Sequence, residues 1–72
     1  MQFDYSKLRG KIRELFGTQS NFAKEMGVSD ASLSAKLNGK VEFGQKEIGS
    51  ALSILQLEGS KDIYAYFFTH KV

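Results

Sequence analysis

Apolar residues recur at helical spacing in successive stretches of this chain, and Gly, Ser, Thr and Asp punctuate the intervals. Tyr5, Leu8, Ile12, Leu15 and Phe16 form the first stripe. Asp4 is placed to cap this helix, Phe3 and Leu8 to staple it, and Gly17 to close it. A second helix is predicted over Gln19 to Met26, with Thr18 as its cap and Phe22, Ala23 and Met26 inward. Gly27 then supplies the left-handed residue that ends it. Val28 and Ser29 form the turn and the next cap, and Leu33 and Leu37 mark the buried side of a third helix over Asp30 to Asn38. After a loop over residues 38–44, a fourth helix is predicted from about Gln45 to Gln56. Phe43 and Ile48 staple it, Glu47 reaches back to Gly44, and Ile48, Ala51, Leu52 and Leu55 face inward.

The tail supports two readings. Ser60 and Asp62 suit the start of a short fifth helix that buries Ile63 and Phe67, whereas Tyr64, Tyr66 and Phe68 alternate as in a strand. The balance favours the helix, with residues 69–72 extended in either case. Three aromatics at 64, 66 and 68 exceed what a small core can absorb, so Tyr64, Tyr66 and Phe68 are expected to help form a two-fold dimer contact.

Composition narrows the class. Seventy-two residues allow one domain over 1–72, and 42% apolar content with nine aromatics suffices for one modest core. The absence of cysteine removes disulfide and thiolate-metal schemes and suits a cytoplasmic location. No run approaches membrane-spanning length. A net charge of +2 does not by itself indicate nucleic acid, although Lys7, Arg9, Lys11 and Arg13 crowd the first helix. Lys7 and Lys11 share one helical face and Arg9 and Arg13 another. Catalysis has no foothold: the sole histidine, His70, stands near the end with nothing to orient it, and the carboxylates are scattered. No enzyme activity, cofactor, metal or small-molecule substrate is expected.

Two short helices broken at Gly27 cross steeply, which is how a helix-turn-helix offers its second helix to the DNA major groove. Helical rotation turns Ala31, Ser32, Ser34, Ala35 and Asn38 outward. Small side chains there permit close approach, and Ser29, Asp30, Ala31, Ser32, Ser34 and Ala35 are the candidate base readers. Asp30 also favours the positive end of the helix dipole. Gln19, Lys36, Asn38 and Lys40 are candidates for positioning phosphates.

Gln19, Ala23, Gly27, Val28, Leu33 and the terminal Asn38-Gly39-Lys40 resemble the helix-turn-helix of lambdoid phage Cro and repressor proteins. Lys36 stands where that family usually has an apolar residue, with Leu37 taking over the packing. The third helix also lacks the Gln and Arg side chains that often read bases. The resemblance implies an all-α, compact, four- to five-helix, lambda-repressor-like domain from a phage or prophage. It implies a sequence-specific DNA-binding regulator that acts by occupying a two-fold operator of double-stranded DNA as a homodimer. Two rival readings are a DNA-binding antitoxin and a helical protein-interaction module that does not touch DNA.

Overall fold

The computed structural model describes residues 3–59 and 61–69. Five helices follow in order: α1 (Ser6–Phe16), α2 (Gln19–Met26), α3 (Asp30–Leu37), α4 (Gln45–Ile54) and α5 (Ile63–Phe67). The fold is therefore all-α, as expected. α1 packs on α2 and α5, and α2 lies against α3 and α4. Phe22, Phe67, Leu8, Leu33 and Leu55 are fully buried, so α1, α2, α3, α5 and the residue that closes α4 each contribute one large side chain to a common core.

Local chemistry explains the boundaries. Thr18 accepts from the Asn21 N–H and Ser29 from the Ser32 N–H, so both helices of the motif begin at hydroxyl caps. Gly27 is left-handed (φ 74°), and the bonds from Gly27 N–H to Lys24 O and from Val28 N–H to Ala23 O close α2. At α4 the Glu47 carboxylate accepts from the Gly44 N–H at 2.8 Å; glycine has no side chain to return the bond.

Some expectations are corrected. The first helix is flanked by Tyr5 rather than Asp4, because Asp4 Oδ1 takes the Ser6 N–H across a local turn. Leu15 is 44% exposed, since the stripe at that level is filled by Phe16 stacking near Phe22. α4 ends at Ile54, and Gln56, a non-glycine residue, adopts φ 59° while Leu57 N–H reaches Leu52 O. Left-handed backbone is strained for a side chain with a Cβ. Gln56→Gly is accordingly expected to raise unfolding free energy by roughly 0.5–1 kcal/mol, read from urea denaturation. A loss of stability would show that the Gln56 side chain holds the turn.

The tail is helical. Ile63 is half-buried, while Tyr66 and Phe67 pack inward. The segment then returns beside the N-terminus, where Asp4 N–H donates to Thr69 O at 2.6 Å. Ser60 and residues 70–72 lie outside the described residues, and with them the expectations on Ser60 and His70 and the extended end beyond Thr69.

Candidate helix-turn-helix surface

The α2–turn–α3 unit is built as its sequence predicts, but most of its polar side chains turn on the protein itself. Asp30, in the first turn of α3, accepts from Ser20 Oγ at 2.8 Å and from Gln19 Nε2 at 3.4 Å. This bridges the starts of the two helices and engages Gln19, one of the expected phosphate contacts. Asp30 thus serves the motif's geometry as well as the α3 dipole.

Lys36 is corrected most sharply. Its side chain is only 11% exposed and pairs with Glu47 of α4, with Ser32 Oγ a further neighbour at 3.4 Å. The physical reason is the polar staple it makes: the Glu47 carboxylate lies between the Lys36 ammonium and the Gly44 N–H, tying α3 to the start of α4. A lysine so held cannot also reach out to a phosphate. Its bond, then the Gly44 N–H, lowers the Glu47 carboxyl below its ordinary value of 4.5. A depressed carboxyl stabilises the fold at pH above its unfolded value, and that contribution disappears as pH falls through the folded value. The stability gap between the native chain and Glu47→Gln is expected to be full at neutral pH and to narrow from about pH 4.5 downward. A gap independent of pH in urea melts would refute the pairing.

Asn38 is likewise occupied. Arg9 Nη2 of α1 donates to Leu37 O at 3.0 Å and to Asn38 Oδ1 at 2.7 Å, and Asn38 Nδ2 lies 3.4 Å from Ser34 Oγ. Arg9 therefore caps the carbonyl end of α3. Of the four positioning candidates, Lys40 is exposed, and its ammonium has no hydrogen bond or ion pair among the described residues.

The reading face is thinner than expected. Ser29, Ser32 and Ser34 each accept a hydrogen bond within the chain. Ser32, Ser34 and Ala35 are half-buried, while Ser29, Asp30 and Ala31 are exposed. Just beyond, Val41 is 52% exposed. The outward surface is thus small, weakly polar and acidic at its leading edge, with a valine at its trailing edge.

Of the three tail rings, Tyr66 parts from the other two. Tyr66 is 8% exposed beneath the Lys7 ammonium, which lies 5.1 Å from the ring centroid. Phe68 packs edge-on to Phe3, with centroids 5.7 Å apart. Tyr64 is 66% exposed, with its ring tilted against that of Phe68 at a centroid distance of 5.5 Å. A helix places residues 66 and 67 toward the core where a strand would have turned them to opposite faces. Tyr66 therefore belongs to the monomer core and does not present a dimer contact.

Sequence reasoning missed the roles of Arg9, Ser20 and Glu47. Their partners stand ten or more positions away, and only Glu47's local cap on Gly44 was visible in spacing. Among the described residues there is no cluster suited to a metal, and no helix is long and apolar enough to cross a membrane.

Over residues 1–70 the sequence matches the family described as "Protein of unknown function (DUF739)". No curated protein matches it. The structure is similar to the solution structure of the modulator of repression of the temperate bacteriophage TP901-1 from Lactococcus lactis. The identity is 50%, the alignment covers 100% of this chain and 96% of that one, and the TM-score is 0.81.

Proposed function

The chain belongs to the DUF739 family, and on that premise we propose that it is a phage regulatory protein that modulates a repressor by direct protein contact. The contact surface is the outward face of α3 with the loop after it. One observation carries this reading: Gln19, Lys36 and Asn38, the side chains that would clamp a phosphate backbone, are bonded to Asp30, Glu47 and Arg9. A helix-turn-helix without those clamps loses most of the sequence-independent attraction on which DNA affinity rests. What is left is a shallow face of small side chains beside an exposed valine, which suits packing against another protein. The similar phage protein, named for modulating repression, adds support. The action requires no catalysis and no cofactor.

Operator occupancy by a homodimer is the second reading. The α2–turn–α3 arrangement and the exposed Lys40, which has no ion pair among the described residues, favour it, while the burial of Tyr66 removes part of the expected dimer contact. One experiment separates the two. The purified chain is titrated calorimetrically with the repressor of the same phage or prophage, and separately with the operator duplex at low salt. A saturable complex with the repressor and none with the duplex is the expected result. Binding to the duplex alone would sink the protein-contact reading.

A further inference from the structure

We propose that the cleft between the end of α1 and the start of α2 is an oxyanion pocket that receives an acidic side chain of the repressor; this rests on the protein-contact reading above. The cleft encloses about 300 Å³, lined by Arg9, Arg13, Thr18 and Gln19 over an apolar floor of Ile12 and Leu37. Arg9 and Arg13 stand one turn apart on α1 and so project from the same face. No carboxylate lines the cleft, so neither guanidinium is neutralised there.

The two arginines are prepared differently. Arg9 is oriented by the two bonds its Nη2 makes to Leu37 O and Asn38 Oδ1, which leaves its remaining N–H donors free to meet a ligand. Arg13 is exposed and has no hydrogen bond or ion pair among the described residues. The planar fork of Arg13 can pair with a carboxylate in bidentate fashion, through bonds stronger than those between neutral groups, while Arg9, whose Nη2 is spent, adds a single N–H bond. The first turn of α2 adds to the attraction: Thr18 Oγ1 serves the Asn21 N–H, and the dipole favours negative charge beside Gln19.

A single recessed carboxylate fits this cleft better than a polyanion. A nucleic-acid backbone running past it would need further cations or amides in line, and Lys36 and Asn38 are already bonded within the chain. The apolar floor also suits the methylene stem of an Asp or Glu side chain.

The test uses the full chain and Arg13→Gln, which alters an exposed side chain without internal bonds. Arg13→Gln should fold with unchanged melting temperature and bind the repressor about tenfold more weakly, with Arg13→Lys intermediate because it keeps the charge but not the fork. Amide shifts of Thr18 and Gln19 on titration with acetate at constant ionic strength should saturate in the native chain and vanish in Arg13→Gln. Equal repressor affinity of native chain and Arg13→Gln would overturn the pocket while leaving the protein-contact reading intact. Absence of any repressor complex with the native chain would overturn both. If Arg13→Gln instead weakens duplex DNA binding and flattens its salt dependence, the cleft is a phosphate site and the acidic-side-chain assignment is wrong.

Discussion

Phe67→Ala is expected to be among the most destabilising single substitutions in the domain. The ring is 1% exposed, meets Phe43 edge-on at a centroid distance of 5.6 Å, and anchors a helix only five residues long. Truncating a buried phenylalanine costs about 3–5 kcal/mol through lost transfer energy and an unfilled cavity. A domain of this length has roughly 4–11 kcal/mol in total, so from about a quarter to all of the stability would go. Because α5 is too short to persist without its packing, its helicity and the Asp4–Thr69 bond should be lost together. Urea denaturation followed by circular dichroism reads the effect, with Tyr64→Ala as the control. That ring is two-thirds exposed, and its removal should change stability by about 0.5 kcal/mol or less. Comparable losses from the two substitutions would mean that the tail is not docked as described.

Ala31→Arg should have the opposite profile, sparing the fold and abolishing recognition. Ala31 is exposed on α3, between the capped start of that helix and the half-buried Ser34 and Ala35. A long charged side chain there faces solvent and changes stability little. In a complex packed against small residues it would hold the partner off and bury an unpaired charge. The expected loss in repressor affinity is about a hundredfold, or roughly 2.7 kcal/mol. The same substitution separates the two functional readings, because an added arginine strengthens non-specific attraction to DNA. Weaker repressor binding, with or without a small non-specific gain on the duplex, supports protein contact. A gain on the duplex with no loss on the repressor would favour operator occupancy.

The helices of this protein were legible because each signal is local. Thr18 and Ser29 cap through bonds that span three residues, Gly27 ends a helix through its own backbone freedom, and Glu47 reaches Gly44 within a single turn. Stripes such as Leu8 with Ile12, or Ala51 with Leu55, are repeated at spacings that a helix alone turns to one side. Helix type, order and most of the core followed from such spacings, and so did the break between α2 and α3. The tail was ambiguous for the same reason: five residues rich in aromatics satisfy both periods, and burial of Tyr66 and Phe67 resolved them.

The surface was another matter, since a polar side chain at an outward position does not say what it will find there. Sequence by itself determined the all-helical plan, the caps of α2 and α3, the turn at Gly27 and the inward Leu8, Leu33, Leu37 and Leu55, because each depends on neighbours within about five positions. Tertiary structure alone decided that Lys36 would meet Glu47, that Arg9 would cap α3, and that Asp30 would hold Ser20 and Gln19. Those partners lie ten to twenty-nine residues apart in the chain and become neighbours only when the helices pack. A charge's availability to a ligand is therefore a property of the packed fold, whereas its position on a helix is a property of the sequence.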